Sequence, residues 1–224
     1  MQTLDAVLLG IHILAGTVSL VTGLLAILSA KGKKVHKKSG KVYAMAMAVV
    51  FVTGIIVATF RYNRFLFLIA FLSYYSVFCG VRALKLKQLH RGQKAKWYDW
   101  FAGICNAVAN LVFIGLGMYY GLKNGFGSGG AILSLGFGFG GLFLSYTNLH
   151  PFVVPPKKAY HWYLAHVGNM MGGYIATFTA FLSTIVTNYN LMNPYVAFAL
   201  PSLIGIPLLV YWQKRTERTF TKAI

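Results

Sequence analysis

Few side chains in this sequence could do chemistry, and nearly all of them lie inside long apolar runs. His12, His166, Asn106 and Asn110 each interrupt a stretch of Leu, Ile, Val, Phe, Ala and Gly, as do a set of Ser and Thr hydroxyls. Polar groups in such surroundings are costly, which makes each a functional candidate. An imidazole can titrate or bind a metal, and a carboxamide both donates and accepts. His166, Asn169, Gly173, Thr177, Thr184 and Asn188 recur at steps of three, four and seven, so they share one helix face. Asn106 and Asn110 share another, and Ser73, Ser76 and Gly80 a third. One reading is a hydrated or ligand-binding cavity lined by four helices. The other is hydrogen bonding between helices, or from hydroxyls to their own helix backbone.

The remaining histidines, His36, His90, His150 and His161, fall in or beside basic segments. With His166 they invite a haem or metal hypothesis. His161 and His166 are five residues apart, about 140° around a helix, so they do not share a regular face. No His-x-x-x-His or Cys-x-x-Cys is present, so no zinc signature exists. A bis-His b-type haem would pair His166 with His150 or His36. Cys79 and Cys105 lie inside apolar runs and read as small buried hydrophobes.

Absences narrow the chemistry further. No Asp, Glu, Lys or Arg lies near the middle of an apolar run. A retinal Schiff base has no lysine, a carboxylate-driven proton pump no carboxylate, and a Ser-His-Asp triad no buried Asp. The sequence therefore argues against an enzyme without excluding one.

The elements that must position these groups are membrane spans. The chain has 224 residues, 57% hydrophobic and 11% charged, with a net charge of +18. Soluble domains carry about 25% charged residues. A spanning helix needs roughly 20 apolar residues, and seven stretches qualify: 4–30, 42–60, 65–84, 100–122, 131–149, 162–187 and 194–212. Eighteen of the twenty-one Lys and Arg residues fall in alternate connections or the carboxyl tail; only Arg61, Arg64 and Lys123 fall on the other side. That bias sets orientation. It predicts an all-α integral membrane bundle of seven transmembrane helices, N-terminus outside and C-terminus cytoplasmic, forming one domain over 1–224. The first stretch reads as a retained helix, because no basic residue precedes it and its lysines follow it. The basic excess reads as a surface for anionic lipid headgroups, not for nucleic acid.

Glycine pairs four residues apart read as close-packing positions: Gly117 and Gly121, Gly136 and Gly140, Gly168 and Gly172. His12, Gly16, Ser19 and Gly23 form one stripe at helical period. Pro201 and Pro207 predict a bend in the last span, and the Gly-rich 125–130 segment an external turn.

Two segments carry a resemblance. The first runs from His12 through Gly16 and Gly23 to His36-Lys37-Lys38-Ser39-Gly40-Lys41-Val42-Tyr43. The second is His166-Val-Gly-Asn-Met-Met-Gly-Gly-Tyr-Ile-Ala, followed by Thr179-Ala-Phe-Leu. Together they resemble a bacterial family of multi-pass predicted membrane proteins of unknown function. The resemblance covers about a third of the chain and implies a bacterial inner membrane. It implies no activity, but it singles out His12, His36, Gly40, Tyr43, His166 and Gly172.

The expectation is thus a multi-pass inner-membrane protein that binds or conducts a small solute or ion through a polar intramembrane site. The site candidates are His12, His36, Tyr43, Asn106, Asn110, His166, Asn169 and Thr177. The alternatives are a b-type haem redox protein and a structural or regulatory protein with no ligand. Substrate, oligomeric state and protein partners are not legible in the sequence.

Overall fold

A computed structural model describes residues 2–60 and 64–222, without the side chains of 2–4, 64–66, 194–195 and 221–222. Arg61 lies outside the described residues, and the Arg64 and Lys222 side chains do too. The described residues form seven α-helices: α1 (Gln2–Leu28), α2 (Lys34–Phe60), α3 (Arg64–Ala83), α4 (Trp97–Asn124), α5 (Gly129–Val153), α6 (His161–Tyr189) and α7 (Pro194–Lys222). A short 3-10 turn, Leu89–Arg91, lies between α3 and α4, and the described residues contain no strand.

Six helices, all but α3, are long and apolar enough to cross a membrane. They run 25 to 29 residues, about 38–44 Å at the α-helical rise. That matches hydrocarbon plus headgroups, about 40–45 Å. Among the described residues the apolar part of α3 is Phe67–Ala83.

Several helices outrun their apolar stretches. Lys34, Lys37, Lys38 and Lys41 are helical, not a loop, and α7 continues past Trp212 through Lys214, Arg215 and Arg218. Lys and Arg are good helix formers, and the break before α2 is confined to 29–33, where Gly32 takes φ 75°. The Gly-rich turn is shorter than expected. It spans 125–128, with Gly125 at φ 83° and Gly129 and Gly130 already in α5. The last helix continues through Pro201 and Pro207.

The chain divides into two compact units, Met1–Val81 with Val167–Ile224, and Arg82–His166. In the first, α1 lies along α2. Its core is Tyr43, Met47 and Val77, packed by Tyr74, Met170 and Tyr174. The seam exists because Gly23 has no side chain. A Cβ there would lie 2.5 Å from Tyr174 Cδ2 and 3.0 Å from Tyr43 Cδ2. The Tyr174 hydroxyl donates to the Leu20 carbonyl at 3.1 Å, tying α6 to α1. On α3 and α6, Gly80 admits Met170 and Gly173 admits Val77. Ser76 Oγ donates across to the Asn169 carbonyl at 3.0 Å.

In the second unit α4 lies along α5. Gly103 faces Leu149, Gly117 faces Leu135, and Gly138 faces Ile114. Gly117 is a packing position between helices as expected, as are Gly168 against Gln213 and Gly172 against Ser76, whereas Gly121 seats Phe126 of the turn that follows its own helix. Gly136 and Gly140 are not: nothing lies within 4 Å of a Cβ at either. The face of α5 turned to α4 is set instead by Gly138, Gly141 and Ser145. Cys105, expected to be buried, is exposed, because the buried stripe of α4 runs through Gly103, Asn106 and Asn110.

Adding a methyl group at Gly23 should therefore cost about 1–3 kcal/mol through overpacking. Gly16, with nothing within 4 Å, should tolerate one and gain from the better helix propensity of Ala. Thermal unfolding in detergent of Gly23→Ala and Gly16→Ala checks this: the first midpoint should fall and the second should hold or rise.

Candidate functional site

The site candidates separate between the two units. Tyr43 and Thr177 come together in the first, at the α2–α6 contact. Tyr43 is 2% exposed, and its hydroxyl has no hydrogen-bond partner among the described residues. The Thr177 oxygen is its nearest acceptor. Thr177 donates its own proton to the Gly173 carbonyl at 2.8 Å, with Met47 Sδ at 3.3 Å, and its lone pairs face the phenol without forming a well-aligned bond. A Cβ on Gly173 would lie 3.4 Å from the Tyr43 oxygen. Gly173 thus makes the room in which the phenol ends. The phenol oxygen ends in a closely packed place beside Met47, Val77 and Gly173, with the Thr177 oxygen as its nearest polar neighbour.

His12 meets Thr53 instead, its Nδ1 3.0 Å from Thr53 Oγ1. Thr53 donates to the Val49 carbonyl at 2.7 Å, so its hydrogen is committed and Nδ1 must donate. The neutral imidazole then keeps Nε2 as an acceptor. Gly54 gives the ring its seat, with His12 Cε1 3.1 Å from where a Cβ would be.

His36 serves a helix end. Its Nδ1 lies 2.9 Å from the Ala26 carbonyl, which can only accept, so Nδ1 donates. Lys31 Nζ donates to the same carbonyl at 3.2 Å and to that of Ile27. The last turn of α1 contains no basic residue, and these two side chains supply the missing donors for its orphan carbonyls. The pattern His36-x-x-x-Gly40-x-x-Tyr43 thus has a structural meaning. At spacings of i, i+4 and i+7 it is the face that α2 turns to α1. There, His36 meets Ala26, a Cβ on Gly40 would lie 4.0 Å from the Ala26 methyl, and Tyr43 meets Gly23.

Asn169 contributes its backbone carbonyl to Ser76 and is buried. The polar face of α6 is shorter than its spacing predicts, because Thr184 and Asn188 are exposed. Beyond Thr177 the buried positions shift to Thr179, Ser183 and Val186. A helix that crosses its neighbours at an angle changes the side it buries along its length.

Asn106 and Asn110 belong to the second unit and face α5. Asn106 Nδ2 donates to Ser145 Oγ at 2.8 Å and to the Gly141 carbonyl at 3.2 Å. Asn110 Nδ2 donates to the Asn106 carbonyl at 2.7 Å. A Cβ on Gly141 would overlap the Asn110 carboxamide. Asn106 Oδ1 is buried without a partner. These contacts join two helices, as the simpler sequence reading allowed. His150 sits against Tyr146, ring centroids 5.3 Å apart, and His166 falls in the middle of a half-buried turn of α6. No group of three His, Cys, Asp or Glu side chains able to hold a metal ion occurs among the described residues.

One pair escaped the sequence reading. Arg82 at the end of α3 forms a bidentate ion pair with Asp99, Nη2 to Oδ2 being 2.9 Å. Asp99 Oδ2 also accepts from the Lys96 backbone N–H at 2.9 Å, in the first turn of α4. Asp99 is only 3% exposed, and the Arg82 guanidinium stacks over the Tyr98 ring at 4.7 Å. The signal was available: a lone Asp three residues after Lys96, in a first helical turn, amid bases. The pair closes the 84–96 connection. Asp99→Asn should cost about 1–3 kcal/mol by removing the charged acceptor of a partly exposed guanidinium, with faster amide exchange across 84–96. An unchanged thermal midpoint would contradict this.

No protein-family model matches this chain, and no curated protein or solved structure matches it either.

Proposed function

We propose that this is a seven-span protein of a bacterial inner membrane, N-terminus outside and C-terminus cytoplasmic, that binds or conducts a small polar solute or ion. α3 is then the seventh span, its 20 residues giving about 30 Å, one hydrocarbon thickness. The charge bias supports the orientation, since the basic residues of the 31–41, 82–96 and 157–158 segments and the tail fall on one side. A membrane-impermeant maleimide applied to intact cells should label Lys123→Cys and spare Lys33→Cys. Labelling of Lys33→Cys alone would reverse the orientation.

The solute reading rests on one observation, the buried Tyr43 hydroxyl, which makes no well-aligned hydrogen bond and has only the Thr177 oxygen near it. An unsatisfied buried donor costs about 1–3 kcal/mol, and a bound acceptor removes that cost. Its neighbours are uncharged, so the chemistry favours a ligand held by hydrogen bonds. Tyr43→Phe keeps the ring against Gly23 and Tyr174 and deletes only the donor. Without ligand, the variant should unfold at the same temperature as the parent or higher. In proteoliposomes screened by stopped flow with glycerol, urea and protons, the parent should exceed protein-free vesicles for at least one solute. Tyr43→Phe should lower that flux by about tenfold, the equivalent of one hydrogen bond at 1.4 kcal/mol. Equal flux in parent and variant would remove Tyr43 from the site.

A further inference from the structure

The first two turns of α2 carry a charge pattern that the helix itself cannot stabilise. Lys34, Lys37, Lys38 and Lys41 lie at i, i+3, i+4 and i+7, one face about 100° wide. All four are exposed, and none makes an ion pair or side-chain hydrogen bond among the described residues. Neighbouring like charges at these spacings repel. Lysine in a first turn also opposes the helix dipole, and that turn holds no acidic residue. The whole chain has three carboxylates, Asp5, Asp99 and Glu217, and Asp99 is taken by Arg82. The opposite face of the same turns cannot move away, because His36 and Gly40 lock it onto α1 at Ala26.

We propose that this lysine stripe is a docking surface for anionic phospholipid headgroups, and that lipid contact is what holds the start of α2 helical. Position selects the lipid over other polyanions. The apolar part of α2 begins at Val42, directly after Lys41. The stripe therefore spans about 10 Å of helix at the level of the headgroups. Each basic side chain there gains from the negative surface potential. The same contact steadies His36, and through it the end of α1. This inference does not depend on the solute reading.

The test is hydrogen exchange of the 37–41 amides in the full chain, in nanodiscs of phosphatidylcholine alone or with added phosphatidylglycerol. Exchange should be about tenfold slower with phosphatidylglycerol at low salt. The difference should vanish at 1 M salt, where the Debye length is about 3 Å. The variant carrying Lys34→Gln, Lys37→Gln, Lys38→Gln and Lys41→Gln should exchange slowly in both lipids, because its self-repulsion is gone. Lys157→Gln with Lys158→Gln should leave the lipid effect intact. Should the quadruple variant fail to insert, the salt series on the parent decides by itself. Exchange that ignores phosphatidylglycerol would overturn the proposal. So would stronger protection in neutral discs by an oligonucleotide or a polyglutamate peptide, which would assign the surface to that partner.

Discussion

Helices in hydrocarbon gain nothing from burying apolar side chains against one another, since lipid tails are equally apolar. What brings them together is close backbone approach, and in this protein the approach is made by residues with no side chain. Gly23 admits two tyrosine rings between α1, α2 and α6, while Gly80 and Gly173 bring α3 against α6. In the other unit Gly103, Gly117, Gly138 and Gly141 do the same for α4 and α5. Many large apolar side chains point outward, Leu14, Leu122 and Leu203 among them, each more than two-thirds exposed. That inside-out distribution suits a lipid solvent.

The glycines also decide where polar groups can be housed. His12 sits over Gly54, Tyr43 ends beside Gly173, and Asn110 presses on Gly141. Most of these groups are satisfied across a helix pair, as in Asn106 with Ser145 and Ser76 with Asn169. Such bonds contribute about 0.6–2 kcal/mol each in membranes. The Tyr43 hydroxyl departs from that pattern within a tightly packed core, as does Asn106 Oδ1 between α4 and α5, but only the phenol is a donor that a bound acceptor could satisfy.

Much of the helical architecture was legible because hydropathy and helix length respond to the same bilayer thickness. The α1 positions His12, Ser19 and Gly23, though not Gly16, and the α3 face through Ser73, Ser76 and Gly80 were legible from period alone. The helix ends were not, since lysine-rich turns remain helical beyond the apolar stretches. Gly136 and Gly140 misled because spacing reveals a face without revealing which face has a neighbour. The polar stripe of α6 was overextended to Thr184 and Asn188 because sequence period assumes parallel neighbours. The Arg82–Asp99 pair was missed because each residue was read as one charge in a loop, and its partner came from another helix. The grouping of candidates into Tyr43 with Thr177, and Asn106 with Asn110 and Ser145, depends on which helices adjoin, which spacing does not encode.

The contact on which these assignments rest is the register of α1 against α2, and a disulfide reads it directly. A Cβ on Gly40 would lie 4.0 Å from the Ala26 Cβ, within the range of a disulfide, about 3.5–4.5 Å. The Ala26→Cys/Gly40→Cys pair, in a background lacking Cys79 and Cys105, should oxidise in native membranes and lose both sites for a mass-tagged maleimide. A Gly16→Cys/Gly40→Cys pair should keep both. If the first pair stays fully reactive in folded protein, α1 and α2 do not meet in this register, and the seam that seats His36 and Tyr43 is wrong.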